Sequence, residues 1–245
     1  MTVILLRHGV STSNTAQTLA GRSQGVELDE RGRQQASALL ERLQGVPIDA
    51  IVRSPLLRCE QTVAPLGEQR GLVPIVDDRL AEVDYGDWTG RKLKELIDEP
   101  LWKVVQRHAS AAIFPNGEGL ADVQHRAVAA IRDHDRRLAA HFDRDVLWIA
   151  CTHGDVIKSI LADAFGIHLD GFQRIVAEPA SMSVVRYTAT SPYVWRVNDT
   201  GSDLSGLAPK PPEKDGAGSD GAARDDAVDS QPVPGGEVSS VGDNG

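Results

Sequence analysis

The sequence predicts an α/β fold, a three-layer α/β/α sandwich with a mostly parallel, mixed central sheet. Short apolar segments rich in β-branched residues alternate along the chain with segments whose apolar residues recur at helical spacing, which is typical of strands joined by crossover helices. Residues 146–151 are apolar without interruption, as expected of a strand covered on both faces. Two late apolar segments could form a hairpin, which would make the sheet mixed.

The first half of the chain contains three predicted strands and two predicted helices. Strands are expected at residues 2–6, 49–52 and 74–76. Asp29 is a suitable N-cap for a helix that continues to about residue 43. Ser54 and Pro55 suit the start of the next helix, since a serine can cap it and a proline can occupy its first turn. Arg58 then lies in the first turn of that helix and off its apolar stripe.

The second half begins with a loop at residues 80–90 that is dense in Asp, Glu and Gly. One or two short helices at 91–112, a long helix at 118–142, a strand at 146–151, a helix to residue 165 and strands at 182–187 and 193–197 follow. His134 and His141 lie on the apolar face of the long helix, so we expect buried or boundary histidines. A metal pair would prefer ligands four positions apart, and no metal site is predicted.

Composition divides the chain into residues 1–198, a predicted folded domain, and residues 199–245, an acidic tail rich in Gly, Pro and Asp. The tail carries 10 acidic and 3 basic residues and has no aromatic side chain. We expect it to be disordered, because it has too little apolar surface to offset chain entropy. The remaining 25 acidic and 23 basic residues leave the predicted domain nearly neutral.

These features exclude several classes of function. A nearly neutral domain lacks the surplus of Lys and Arg that nonspecific nucleic-acid binding needs. The apolar runs are far shorter than the ~20 residues that span a bilayer, and the N-terminus does not resemble a secretion signal. Two cysteines are too few for a disulfide framework. We therefore expect a cytoplasmic protein without a membrane or nucleic-acid partner.

Basic and imidazole side chains follow three predicted strands at the point where each strand ends. Arg7 and His8 follow the first strand, Arg53 and Arg58 follow the second, and His153 follows the strand at 146–151. Ligands bind beside the carboxyl ends of strands in open α/β sheets, so these groups could meet in one cleft. Guanidinium groups and a helix N-terminus both suit phosphate oxygens. The pattern therefore predicts a site for a phosphate dianion.

Four ordered motifs strengthen this interpretation. They are LRHG at 6–9 with Ser11 and Asn14, SPLLRCEQT at 54–62, LAE at 80–82 with Gly86 and Gly90, and THG at 152–154. In this order the motifs resemble those of the histidine phosphatase superfamily, also called the phosphoglycerate mutase-like family. The resemblance extends over about residues 3–198 and is closest to the broad-specificity phosphatases of the family.

The resemblance implies a role for each matching residue. His8 matches the residue that becomes phosphorylated, and Glu82 matches the usual proton donor. Arg7, Arg58 and His153 match the groups that hold the phosphoryl oxygens. No cofactor is implied, because arginine and histidine side chains supply the positive charge that Mg²⁺ would otherwise provide.

Two further positions are implied to line the substrate pocket, Asn14 and the backbone near Gly21. The segment 115–118, with Val123 and Arg126, resembles the Gly-Gly-Glu element of the broad-specificity phosphatases. Val10 departs from the family, where Glu is common at this position, and Cys59 stands where Ala is common.

Some site assignments have alternatives. Asp84 and Asp87 are alternative proton donors to Glu82, and Arg53 is expected to support the site from its rim. Cys59 lies on the apolar stripe of a predicted helix and Cys151 in a predicted buried strand, so both are expected in the core. Neither has the arginine six residues later that cysteine phosphatases use.

The leading functional hypothesis is a phosphatase that hydrolyses a small phosphorylated metabolite through a phosphohistidine. A phosphoglycerate-type mutase is the first alternative, although only 71 positions separate Glu82 from His153, a shorter stretch than in mutases of this family. A binder of phosphorylated ligands without catalysis is the second alternative. The late β segment could also pair two copies into a homodimer.

Overall fold

The computed structural model describes residues 1–201, and the predicted disorder of residues 202–245 lies outside them. The strands of the described part are β1 (Thr2–Arg7), β2 (Ala50–Arg53), β3 (Ile75–Val76), β4 (Leu147–Thr152), β5 (Met182–Tyr187) and β6 (Pro192–Asp199). Its α-helices are α1 (Thr12–Thr15), α2 (Glu30–Arg42), α3 (Leu57–Arg70), α4 (Leu93–Leu96), α5 (Pro100–Arg107), α6 (Leu120–Phe142) and α7 (Gly154–Phe165). None of these helices is both long and apolar enough to cross a membrane. Strand β6 ends one residue beyond the predicted domain boundary.

All six strands form one sheet in the order β3-β2-β4-β1-β5-β6. β1 pairs with β4 in parallel, and β2 pairs in parallel with both β3 and β4. β5 is antiparallel to β1, and β6 is antiparallel to β5. The predicted mostly parallel, mixed sheet is confirmed, including the hairpin formed by the two last strands.

Helices cover both faces of the sheet, as the sequence predicts. In β1, Val3 and Leu5 belong to the apolar cluster that contains buried residues of α6 and α7. Ile4 and Leu6 belong to the cluster that contains buried residues of α2 and α3. This alternation follows from the period of two along a strand, which turns successive side chains to opposite faces. The three-layer arrangement is thereby confirmed.

The register of the parallel strands places their carboxyl ends side by side. Arg7, the last residue of β1, pairs with Thr152, the last residue of β4. Arg53, the last residue of β2, pairs with Cys151. The residues that follow these strands therefore emerge together at one edge of the sheet, as ligand-binding residues of α/β proteins commonly do.

The predicted start of α3 is wrong in detail. The helix begins at Leu57, with Leu56 in the N-cap position and no side-chain cap. The Ser54 hydroxyl accepts a 3.3 Å bond from the Leu56 backbone N–H outside the helix, and it also contacts His153 Nε2 at 2.8 Å. Ser54 does not cap because this tertiary contact holds its hydroxyl before the helix begins. Arg58 still lies in the first turn, as predicted.

The two histidines of α6 differ in environment. His134 is buried, as predicted, and its Nε2 lies 2.8 Å from Asp77 Oδ2. His141 is exposed, so the prediction of a buried or boundary residue is wrong for it. The reason is its place in the last turn of α6, beyond Leu138, the last buried residue of the helix.

Both cysteines are buried and free, which confirms the predicted core positions. Cys59 Sγ lies 3.6 Å from the Thr152 carbonyl oxygen and 3.6 Å from His153 Nε2. Cys151 Sγ lies 3.7 Å from the Cys59 carbonyl oxygen. The cysteines therefore pack α3 against β4.

Candidate active site

His8 follows β1 directly and is almost completely buried, with 3% of its surface exposed. Its Nδ1 lies 2.7 Å from the Gly9 carbonyl oxygen. A carbonyl oxygen can only accept a hydrogen bond, so Nδ1 carries the ring proton. Arg58 Nε, which can only donate, lies 3.3 Å from His8 Nε2. Nε2 therefore presents a lone pair, the form that a nucleophilic imidazole needs.

Burial and two positive charges keep His8 uncharged. Burial, followed by the nearby Arg58 and Arg7 guanidinium groups, lowers the pKa of His8 well below its ordinary value. The hydrogen bond to Gly9 acts in the opposite direction but is the smallest contribution. At neutral pH the ring is consequently available as a nucleophile without first losing a proton.

Arg58 connects the two histidines of the site. Its Nη2 lies 3.1 Å from His153 Nδ1 and donates a 2.9 Å bond to the Gly21 carbonyl oxygen, in addition to the contact of Nε with His8. Among the described residues, the buried Nη1 atom has no hydrogen-bond partner. A buried donor that lacks a hydrogen-bond partner can bind a ligand that brings an acceptor, such as a phosphoryl oxygen.

Arg7 supplies the second guanidinium group. It is the last residue of β1 and is fully buried, and its Nη1 donates a 2.8 Å bond to the Ala177 carbonyl oxygen. Arg7 and Arg58 together give the site a concentration of positive charge with little exposure to water. In such surroundings electrostatic interactions with an anion are stronger than at the surface.

His153 occupies the N-cap position of α7 and is fully buried. Its Nδ1 faces the Arg58 guanidinium, which can only donate, so Nε2 carries the proton and donates to Ser54 Oγ at 2.8 Å. The ring centroid lies 5.2 Å from that of His8. Burial, then Arg58 and His8, lower the pKa of His153 well below its ordinary value. The structure thus brings both histidines together as uncharged rings.

Glu82 is buried with 4% of its surface exposed. Its Oε1 accepts a 2.9 Å bond from the Val83 backbone N–H, and its Oε2 lies 3.8 Å from His153 Nδ1. Burial, followed by the negative charge of Asp155, raises the pKa of Glu82 to about 7, against the opposing effect of Arg58. Glu82 is therefore protonated in a substantial fraction of the molecules near neutral pH, as a general acid requires.

The loop that carries Glu82 is held in place from outside the cleft. Arg126 donates to the Arg79 and Ala81 carbonyl oxygens at 2.6 and 2.8 Å and pairs with Glu118 at 2.6 Å. Arg22 Nε donates a 2.8 Å bond to the Glu82 carbonyl oxygen. The segment that resembles the Gly-Gly-Glu element therefore braces the loop and does not line the cleft.

Arg7, His8, Arg58 and Glu82 line one cleft that is partly open to solvent. Asn14 and Gly21 lie in the same wall, at the positions that the sequence implies for the substrate pocket. Its other lining side chains are uncharged and include Ser11, Thr18, Leu19, Tyr85 and Leu93.

The structure does not bring the alternative proton donors into the cleft. Asp84 Oδ1 accepts from the Gly86 backbone N–H at 3.0 Å, and the exposed Asp87 accepts from Asn116 at 3.0 Å. Arg53 pairs with Glu60 at 2.6 Å and stays outside the lining. Glu82 is consequently the carboxyl group of the described residues that the cleft presents to a ligand.

Sequence reasoning missed three polar residues next to the site, Tyr85, Asp155 and Lys158. All three are buried, and the Tyr85 hydroxyl donates a 2.8 Å bond to Asp155 Oδ2. One signal was present: Asp155 and Lys158 are three positions apart in a helix whose neighbouring residues are apolar. Two opposite charges at this spacing on an apolar helix indicate that the two side chains are buried and paired with each other.

Comparison with known proteins decides the family. The model of the histidine phosphatase superfamily (branch 1) matches residues 3–200. The chain belongs to this superfamily. It is 28% identical to phosphoserine phosphatase 1 of Hydrogenobacter thermophilus, over 81% of this chain and 92% of the relative. It is 27% identical to a protein of an Enterobacter species named "Probable phosphoglycerate mutase GpmB", over 84% of this chain and 94% of the relative.

A solved structure of a histidine phosphatase agrees with the fold. Mycobacterial glucosyl-3-phosphoglycerate phosphatase in complex with VO3 superposes with a TM-score of 0.73 at 28% identity, covering 80% of this chain and 98% of that chain. The chain is therefore an enzyme of the phosphatase type, and the names of its relatives favour phosphomonoester hydrolysis over the mutase alternative.

The environment of Glu82 predicts how activity depends on the leaving group. We expect Glu82→Gln to lower kcat/KM, which reports the reaction up to release of the alcohol, by ~10²- to 10⁴-fold for an alkyl phosphate, whose alkoxide needs a proton as it leaves. The loss of kcat/KM with p-nitrophenyl phosphate should be much smaller, because p-nitrophenolate leaves without protonation. Wild-type kcat/KM should fall above about pH 7, where Glu82 ionises, and should stay high to well below the ordinary pKa of histidine.

Steady-state kinetics with both substrates across the pH range check this prediction. Asp87→Asn, which removes an exposed carboxyl group of the same loop, is the matched control and should leave both substrates unaffected. Equal losses of kcat/KM for the two substrates in Glu82→Gln would contradict a proton-donating role.

Proposed function

We propose that this enzyme hydrolyses a small, metabolite-sized phosphomonoester in two steps through a phosphohistidine on His8. One observation carries the proposal: the unprotonated Nε2 of His8 lies beside two buried guanidinium groups in a cleft that also contains a raised-pKa carboxyl group, Glu82. Nucleophile, anion site and proton donor are thus assembled from three separate segments of the chain.

In the first step, the lone pair of His8 Nε2 attacks the phosphorus atom and the ester P–O bond breaks. Arg7 and Arg58 stabilise the charge on the phosphoryl oxygens. His153 holds the Arg58 guanidinium in place, because its Nδ1 accepts from Arg58 Nη2. Glu82 gives its proton to the leaving oxygen and becomes a carboxylate, so the first product is a neutral alcohol. The Nδ1 proton of His8 stays on its bond to Gly9 throughout.

In the second step, water takes the place of the alcohol. The Glu82 carboxylate accepts a proton from this water as its oxygen attacks phosphorus, and the P–N bond breaks. Inorganic phosphate leaves, His8 regains its lone pair, and Glu82 is protonated again. One carboxyl group therefore acts as acid and then as base, which suits a pKa near 7.

The remaining alternatives have less support. A mutase must hold the phosphoenzyme away from water, and the short segment between Glu82 and His153 offers no long lid. A protein that only binds phosphate would not need both a proton donor and an uncharged nucleophile. The relatives named as phosphatases support hydrolysis.

The proposal predicts metal-independent turnover and a covalent intermediate. Wild-type enzyme should hydrolyse p-nitrophenyl phosphate in the presence of EDTA, and acid-labile phosphate should be trapped on His8 by rapid quenching. His8→Ala should lose at least ~10³-fold in kcat, because it removes the nucleophile. His141→Ala, which removes an exposed imidazole, is the control and should retain wild-type activity.

Rapid-quench labelling followed by peptide mapping makes this measurement. Phosphate attached to a residue other than His8, or hydrolysis that stops in EDTA, would overturn the proposal.

Three expectations from the sequence stay predictions. β6 is an edge strand with Tyr193 and Trp195 more than half exposed, which supports pairing of two copies into a homodimer, to be checked by sedimentation velocity. The cytoplasmic location and the expected disorder of residues 202–245 are also untested.

A further inference from the structure

A buried ion pair lies behind the cleft, in the first turns of α7. Asp155 and Lys158 are 0% and 1% exposed, and Lys158 Nζ lies 3.2 Å from Asp155 Oδ1. Removing two charges from water costs free energy that their attraction seldom returns in full. A pair in this position therefore calls for an explanation other than stability.

Hydrogen bonds connect the ion pair to the cleft. Asp155 Oδ2 accepts a 2.8 Å bond from the hydroxyl of Tyr85, whose side chain lines the cleft together with Glu82. On the opposite side, Lys158 Nζ donates a 2.8 Å bond to Gln173 Oε1. Asp155 thus accepts one hydrogen bond from the Tyr85 hydroxyl and one from the Lys158 ammonium group, as an ionised carboxylate does.

We propose that Asp155 is a positioning residue for the proton donor: its carboxylate, fixed by Tyr85 and Lys158, keeps a proton on Glu82 until the leaving group takes it. This inference rests on the proposed role of Glu82 as general acid. Asp155 itself makes no contact with the phosphoryl group in this scheme, and it acts through its negative charge.

The charges around Glu82 show why such a residue is needed. The groups that face Glu82 are Arg7 from β1, Arg58 from α3, Asp155 and Lys158 from α7, His153 at the start of α7, and Tyr85 of its own loop. Arg7 and Arg58 favour the ionised carboxylate, in which state Glu82 could not donate. Burial and the charge of Asp155 oppose them and raise the pKa of Glu82.

The hydrogen bonds also determine which of the two carboxyl groups holds the proton. Asp155 accepts bonds from a hydroxyl and an ammonium group, whereas the bond to Glu82 comes from the Val83 backbone N–H. An ammonium donor stabilises a carboxylate more than a neutral amide does. Of these two acids, Glu82, which faces the substrate, is therefore the one expected to hold a proton.

Asp155→Asn tests the proposal, because the amide keeps the shape and removes the charge. The alkaline limb of the pH profile of kcat for an alkyl phosphate should move to lower pH by about one unit. At a pH above the alkaline limbs of both the wild type and Asp155→Asn, kcat of the variant for the alkyl phosphate should be about tenfold below that of the wild type. Turnover of p-nitrophenyl phosphate should change far less. Asp163→Asn, which removes a surface charge from the same helix, is the control and should leave the profile in place.

Several outcomes overturn the proposal. The first is an unshifted alkaline limb in a folded Asp155→Asn or Asp155→Ser protein. If neither variant folds, carboxyl ¹³C spectra of the wild type decide: Asp155 must stay ionised while Glu82 titrates, and a protonated Asp155 in that range contradicts the proposal. Phosphohistidine trapping in the same samples separates this failure from failure of the proposed function.

The lining of the cleft carries a second, independent inference. Among the described residues, the cleft presents two cationic side chains, Arg7 and Arg58, and both adjoin the nucleophile. Apart from the nucleophile and Glu82, the rest of the wall consists of uncharged side chains, including Ser11, Thr18 and Leu19. Nearby basic residues are engaged elsewhere: Arg22 pairs with Glu118 at 2.9 Å and Arg91 pairs with Glu99 at 2.6 Å.

The geometry points to a phosphomonoester of an uncharged alcohol as the substrate, a refinement that rests on the proposed phosphatase activity. A second anionic group on the substrate would lose its hydration in this cleft without meeting a cation, which disfavours its binding. Hydroxyl groups of an uncharged alcohol could instead meet the side chains of Ser11 and Thr18.

Two matched substrate pairs test this inference. sn-Glycerol 3-phosphate and 3-phosphoglycerate share one skeleton and differ in a hydroxymethyl or carboxylate end, and phosphoethanolamine and phosphoserine differ in the same carboxylate. We expect kcat/KM to be at least about tenfold higher for sn-glycerol 3-phosphate than for 3-phosphoglycerate, and for phosphoethanolamine than for phosphoserine. Equal values, or a preference for the carboxylates, would overturn the inference.

Lys92, an exposed residue beside Leu93, gives the comparison its control. Lys92→Gln should leave the ratios unchanged, because the side chain lies outside the lining. If the wild type prefers the substrates that carry a carboxylate and this variant does not, Lys92 binds that carboxylate and the inference is wrong. Activity toward p-nitrophenyl phosphate in the same assays shows separately that the enzyme is a phosphatase.

Discussion

The guanidinium group of Arg58, buried between His8 and His153, is the interaction on which the site depends. It contacts both imidazole rings and the Gly21 carbonyl oxygen, so one side chain ties together the ends of β1 and β4 and a loop of the cleft. Its charge also disfavours protonation of both rings. Position and protonation state are therefore set by the same contact.

This arrangement produces opposite proton states in neighbouring groups. Positive charge and burial together lower the pKa of His8, so its ring carries one proton and no charge. At Glu82, burial and the charge of Asp155 outweigh the same positive charge, so the carboxyl group keeps a proton. Pairs of titratable groups with pKa values displaced in opposite directions are typical of acid–base sites. The central sheet makes this possible, because its parallel strands end side by side and deliver groups from distant parts of the chain.

Much of this could be predicted from the sequence, where the cause is local. The apolar run from Val3 to Leu6 identifies a strand, and Asp29 caps α2 as expected, with its side chain accepting from the Gly32 backbone N–H. Strand ends followed by Arg7, His8 and His153 were enough to place the site.

Features that depend on distant partners could not be predicted. Ser54 was expected to cap a helix, but its hydroxyl contacts His153, a partner 99 positions away. The burial of Asp155 and Lys158 depends on Tyr85 and Gln173, which belong to other segments. Periodicity in one segment carries no information on such contacts. For the same reason, helical spacing placed His141 on the apolar face of α6, although burial of that face ends at Leu138.

The ring of His8 allows the most direct test of this account. In ¹⁵N spectra of histidine-labelled enzyme, assigned with His8→Asn, the His8 signals should remain those of the neutral Nδ1–H form from neutral pH to well below the ordinary histidine pKa. A ring that titrates at or above the ordinary value, or that carries its proton on Nε2, would contradict the account.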